Sequence, residues 1–248
     1  MKAEASAFGN SEFRLDSVDT NVETLGAYIK MSNEMFDDLQ FVTSYVSTRL
    51  PEKTLNTEDT QIVSGNGSSP NIQGLFASGG GTAYAAAADA SADTGFRNFF
   101  LPLNYGVDVS GSVNEYDVLV SAIHQCTVSE YTPNLIILHP FNYHALLLRK
   151  STQWDYVREG ILPTVMGVPV VKTTAQTAGT FGVGDFNIGC SLAFRENMTV
   201  EFTNTDQDDF IFRYFDKTVR AKERLALPIY NANAFSWGTF GAAITALQ

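Results

Sequence analysis

Apolar signals along this chain arrive in an order that excludes a doubly wound sheet. A helix-period stretch follows Ser32, helices and strands mix between 114 and 190, and strands dominate from Gly167 to Phe240. A doubly wound sheet needs regular strand–helix alternation. Here a long helix stands ahead of the mixed segment and strands flank both, the pattern of an α+β chain with interleaved segments. The 248 residues, 44% of them hydrophobic, suffice for one large domain or two smaller ones with a real core.

Residues 11–31 read as extended chain, with Phe13, Leu15, Val22, Leu25, Ala27 and Ile29 in partial alternation. Ser32 or Asn33 is placed to accept from the free N–H groups of a helix's first turn. Phe36, Leu39, Val42, Val46 and Leu50 follow at spacings of three and four, one apolar face of an amphipathic helix. Pro51 is expected to interrupt that helix or start a second one running to Val63. Residues 65–75 form a turn-rich connector and 76–112 a loop-rich insertion. Asn114 is expected to cap a helix with Tyr116, Leu119, Val120, Ile123 and Thr127 on its inner face. Leu135 to Leu138 reads as a buried strand, and Pro140 as the first residue of the next helix.

Composition narrows function more by exclusion. Charged residues are 17%, below the roughly 25% of an average soluble domain. With 12% aromatics, that suits a protein burying surface against its own copies, and equally a well-packed enzyme. The net charge of −11 lacks the basic footprint of a dedicated nucleic-acid binder. Cys126 and Cys190 read as buried reduced thiols, with a single disulfide as the alternative. The first residues carry no apolar signal region, and no window approaches the ~20 apolar residues of a membrane span.

No reactive constellation is found. The glycine-rich stretch from Gly65 ends without the Gly-Lys-Ser/Thr of a phosphate loop, and Pro70 opposes a helix start there. His139 and His144 are five apart, which does not set two imidazoles on one helix face, and satisfied or solvent-facing histidines are the better reading for these and for His124. Neither cysteine sits in a catalytic signature, and apolar surroundings would raise both thiols. Asp206, Asp208 and Asp209 read as a solvated hairpin turn, since a calcium loop needs alternating ligands and a distal Glu. No catalytic, cofactor or metal site is assigned, and the chain is not read as an enzyme.

One ordered set of motifs points to a family. Leu25 to Leu50 contains Ser32, Glu34-Met35 and Asp37-Asp38; Pro133 to Ser151 is a strand–Pro–helix unit; Gly160 to Thr173 contains Gly167-Val-Pro-Val-Val171. Then come Gly184-Asp-Phe186, Arg195 five residues before Val200, an acidic turn ending in Phe210, Arg220, Glu223-Arg-Leu-Ala-Leu227 and Asn231-Ala-Asn-Ala-Phe235. Order and spacing together resemble tailed-bacteriophage major capsid proteins of the Hong Kong 97 type.

The resemblance implies that capsid fold. A peripheral domain, with a long spine helix plus strands, would comprise 31–75 and 191–227. An axial domain, a central sheet flanked by helices, would comprise 76–190 and 228–248. Residues 1–30 would be an extended-loop remnant and its return strand, so the chain corresponds to the C-terminal portion of such a protein, without the N-terminal arm and part of the loop. The implied function is a virion head subunit, assembled in the host bacterial cytoplasm. It would join copies of itself into hexamers and pentamers of an icosahedral shell around phage or prophage DNA, without sequence-specific binding.

Portal, scaffold and maturation protease are the implied partners, with no membrane and no cofactor. Glu201 falls where some relatives place an acidic contact near a threefold axis, and Asn204 stands where its basic partner is expected. Phe210, Phe212, Tyr214 and Phe215 are candidates for intersubunit packing, or alternatively for the peripheral core. Some relatives crosslink through a loop Lys, an Asn and a Glu. Here Ala5 to Asn10 contains no Lys and Lys222 stands where an acid is expected, so no crosslinking is expected. Encapsulin-like and gene-transfer-agent shells of the same fold remain an alternative, as does a host- or carbohydrate-binding virion module of another fold.

Overall fold

The computed structural model describes residues 20–38, 40–77, 80–83, 114–148, 164–203 and 216–247. Two sheets organise them. Strands β1 (Glu23–Ser32), β8 (Asp216–Ala226) and β7 (Ala193–Thr203) form an antiparallel sheet in the order β1-β8-β7. Strands β2 (Thr82–Ala83), β3 (Leu135–Leu138), β4 (Thr164–Val165), β5 (Val168–Lys172), β6 (Thr180–Gly184) and β9 (Phe235–Thr239) form a mixed sheet in the order β2-β9-β6-β3-β5-β4. Sequence neighbours thus split between sheets, the interleaving that the α+β reading requires.

Helices α1 (Asn33–Asp38) and α2 (Gln40–Ser64) cover one face of the three-stranded sheet. The Ser32 hydroxyl accepts from the Met35 amide at 3.3 Å, the cap expected there. Strand alternation sends Met31, Val219 and Ala221 inward, where they meet Val46 and Leu50, flanked by Ala27, Phe36 and Val42. Leu39 and Asp206 to Phe215 lie outside the described residues.

Pro51 neither ends nor restarts a helix: α2 runs through it to Ser64. Proline removes one backbone donor and crowds the preceding turn. Leu50 and Thr54, on either side, are both buried against the sheet, and that packing holds the helical course through the defect.

Beyond α2 the chain folds back on itself. Asn66 bridges Gln73, the Gly65 and Gly74 backbones meet in a Gly74 N to Gly65 O bond of 2.8 Å, and the Leu75 and Phe76 amides return to Ile62 and Val63. Phe76 then packs with Phe186 and Phe235. This cluster also takes in Val63, Ile72, Leu75, Ile137, Leu225 and Leu227, so it ties α2 and β8 to the larger sheet.

The opposite face of the larger sheet carries α3 (Glu115–Val128) and α5 (Phe240–Leu247). Val118, Leu119 and Ala122 meet Ile136, Leu138, Phe181, Val183, Phe240 and Ala243 there. Strand β6 alternates to suit: Phe181 and Val183 face α3, while Gly182 and Gly184 leave room for the Phe76 and Phe235 rings, which a Cβ would approach to 2.3 Å. The buried residues of α3 are Val118, Leu119, Ser121, Ala122 and Cys126. Thr127 is exposed, with its hydroxyl donating to Ile123 O. Of the expected face, Leu119 is buried and Tyr116, Val120 and Ile123 pack against the same core, so Thr127 alone falls outside it.

Asn114 closes a capping box at the start of α3, accepting from the Tyr116 and Asp117 amides while Asp117 accepts from the Asn114 amide. Asn114→Ala is expected to cost about 1 kcal/mol, read as a lower denaturant midpoint with an unchanged slope. At α4 (Pro140–Leu147) the His139 ring accepts from the Phe141 amide, with Pro140 in the first turn as expected.

Candidate assembly surface

On the helix-free face of the three-stranded sheet, period-two alternation lines up Arg220, Lys222 and Arg224 along β8. The register sets Arg220 between Tyr28 and Glu201, and Lys222 between Gly26 and Thr199. Arg220 Nη2 lies 2.5 Å from Glu201, and Lys222 Nζ lies 3.1 Å from Glu196 and 3.3 Å from Glu201. Hydrogen bonding from Arg220, then from Lys222, holds the Glu201 carboxyl below its ordinary range. Bonding to Glu196, then to Glu201, raises Lys222. Exposed pairs of this kind contribute little stability. They place both signs of charge side by side on this face.

Glu201, singled out in sequence, is thus held by two cations of its own chain. Those partners come from the neighbouring strand, across a β7 register broken at Phe194/Glu196 and again at Glu196/Thr199. Sequence spacing along one strand could not reveal them. Asn204, Phe210, Phe212 and Tyr214 lie outside the described residues. Lys222 is engaged with two carboxylates, and no acid stands in its place.

Apolar groups are left in solvent elsewhere on the chain. Phe41 is 75% exposed and stacks on Tyr45 at 6.0 Å along α2, with the Arg49 guanidinium 5.7 Å from the Tyr45 ring. Phe202 on β7 is half exposed and meets Phe36 edge-on at 5.9 Å. Phe141, in the first turn of α4, is 70% exposed, and Met166, at the β4–β5 turn on the edge of the larger sheet, 63%. Single exposed apolar side chains are common on any protein surface, so of these the adjoining Phe41 and Tyr45 on α2 are the better candidates for a contact.

Among the described residues no three His, Cys, Asp or Glu side chains gather as metal ligands. Both cysteines are free, and burial pushes the Cys126 thiol up to about 12 and raises that of Cys190, which disfavours the thiolate form. The histidines serve local structure: His144 Nδ1 lies 2.7 Å from Pro140 O, and burial lowers His124. Two adjoining cavities of about 250 and 220 Å³ lie where β1, α2 and the 65–73 loop meet. Each is below the roughly 300 Å³ of the smallest usual ligand pockets. No described helix is long and apolar enough to cross a membrane.

Comparisons with known proteins bear on the family and the fold. A family model described as "Phage capsid family" matches residues 1–240. The chain is 30% identical over 244 residues to the major capsid protein of Enterobacteria phage HK97, covering 97% of itself and 57% of that protein. The chain therefore spans little more than half the length of this curated relative. Among solved structures, the capsid of a native GTA particle superposes with a TM-score of 0.67 at 18% identity, over 96% of this chain and 80% of that one. A chain of Gordonia phage Cozz gives 0.67 at 10% identity, over 96% and 78%. At such identities the structural matches speak to the fold, which is that of these capsid chains.

Proposed function

We propose that this chain, which belongs to the phage capsid family, serves as a major capsid protein. It self-associates through hexamers and pentamers into an icosahedral shell that encloses DNA. The observation that carries this reading is the family match across nearly the whole chain, joined to exposed aromatics on α2 and α4. In this reading the three-stranded sheet with α1 and α2 is the peripheral domain and the larger sheet with α3 to α5 the axial domain.

Each contact can be modest, because a closed shell repeats it many times. Glu201, with Asn204, Phe210, Phe212 and Tyr214, belongs to the proposed subunit contacts. The Arg220–Glu201–Lys222 cluster would present both signs of charge to a neighbour. The enclosed polymer would meet an acidic wall and not a binding site, since the chain carries −11 overall. Portal, scaffold and maturation protease are proposed as further partners, and the host bacterial cytoplasm as the place of assembly. A gene-transfer-agent shell is the second reading, favoured by the superposition on the GTA capsid chain. An encapsulin-like shell shares only the fold argument.

The shell is proposed to be non-covalent and the chain non-enzymatic. Lys222 is already engaged with Glu196 and Glu201, and Ala5 to Asn10 supply no amine. Assembled material, boiled in denaturant and run on a gel, is expected to give one monomer band. A ladder of covalent multimers would overturn the non-enzymatic reading.

A further inference from the structure

Along the underside of α2, buried residues recur at four-residue steps: Val46, Leu50, Thr54 and Glu58. Val46 and Leu50 pack with Val219 and Ala221 of β8. Farther along, Val63 packs with Leu225 and Leu227. Between these two apolar clusters lies a polar seam made of Thr54, Glu58 and, on β8, Glu223. The Thr54 hydroxyl is satisfied by Leu50 O at 3.0 Å. The two carboxyls are not so provided for. Glu58 is 6% exposed and Glu223 1% exposed, and Glu223 Oε1 has no hydrogen-bond partner. Leu25 stands opposite Glu223 in the β1–β8 register and lines, with Glu58, the 220 Å³ cavity.

Every charged group brought to this seam is acidic. Helix α2 contributes Glu58 and Asp59, β1 contributes Glu23 at the cavity wall, and β8 contributes Glu223. The loop contributes Pro70, Asn71 and Ile72, and no Lys, Arg or His lines the cavity. Arg224 faces the other side of the sheet, in register with Thr24 and Glu196, and Lys53 is exposed. Burial first, then Glu223 and then Asp59 push the Glu58 carboxyl from about 4.5 to about 7. Burial also raises Glu223. Burial and like charge together favour keeping a proton on Glu58 below about pH 7.

We propose that Glu58 and Glu223 form a proton-dependent clasp between α2 and β8, closed while a proton is held and loosened when alkaline pH sets two negative charges against each other. The clasp goes beyond the shell reading and does not depend on it. Its sign is fixed by linkage. A carboxyl raised in the folded state makes that state bind more protons than the unfolded chain between about pH 4.5 and 7. Stability therefore falls as pH rises through that window and stays low above it. His124, lowered by burial, acts with the opposite sign, but its effect is common to wild type and variants and cancels in their difference.

The test is thermal unfolding of the full chain from pH 5 to 9 for wild type, Glu58→Gln and Glu223→Gln. At pH 5 the Glu58→Gln midpoint should lie close to wild type, and at pH 8.5 it should lie above it by roughly 5 °C. Parallel pH curves for wild type and variants would overturn the clasp. Should the variants fail to fold, hydrogen exchange of wild type decides. After correction for intrinsic rates, amides 54–64 should lose about tenfold protection between pH 6 and pH 8.5, and unchanged protection would overturn the proposal.

Discussion

Gly74→Ala is expected to abolish stable folding of this chain or to cost at least about 3 kcal/mol, a loss of the size seen when a side chain is forced into a filled site. A Cβ at Gly74 would sit 2.3 Å from the Gly65 nitrogen and 2.9 Å from Ser64 backbone atoms. These neighbours are main chain at the end of a helix and cannot rotate away. The same segment supplies the Gly74 to Gly65 hydrogen bond and the return of Leu75 and Phe76 to α2. Displacing it would also pull Leu75, 1% exposed, and Phe76 out of the cluster that joins the two sheets. Far-ultraviolet circular dichroism with a denaturant titration reads this directly. A midpoint near wild type would mean that the turn tolerates a shift the packing argues against.

The second large effect is expected at Phe235. Its ring is buried between Phe76 at 6.4 Å and Phe186 at 5.3 Å, and Gly184 and Gly189 leave it room. Phe235→Ala should cost about 3–5 kcal/mol from lost burial and the cavity left behind, a fall of roughly 10 °C in melting midpoint for a chain of this size. Because that cluster includes Val63 and Leu225 as well as Ile137, the variant should also loosen one sheet against the other. Limited proteolysis would then cut within 65–77 sooner than in wild type. A proportionate fall in midpoint with unchanged cleavage would confine the effect to the larger sheet.

Much of this architecture was legible in the residues because local signals and packing agree there. Asn114, Pro140 and the Leu135 to Leu138 run mark their elements by cap chemistry, a missing donor and an unbroken apolar run. The path through Pro51 was not legible. Helix continuity there rests on Leu50 and Thr54 meeting a sheet whose central strand lies more than 160 residues away in sequence. The partners of Glu201 were hidden for a similar reason, since they depend on a strand register shifted twice. The carboxyl seam at Glu58 and Glu223 is not legible in sequence, because an acidic residue on a helix reads as solvated until the opposing strand is known. Conversely, the order of motifs from Leu25 to Phe235 carried the family, since order survives where single motifs are weak.

The measurement that bears most directly on the central claim is size-exclusion light scattering of the purified chain, with negative-stain microscopy of each peak. Closed shells, or rings of five or six subunits, are expected, growing with protein concentration. A single monomeric species at every concentration, with an intact circular-dichroism spectrum and a cooperative melt, would contradict assembly by this chain.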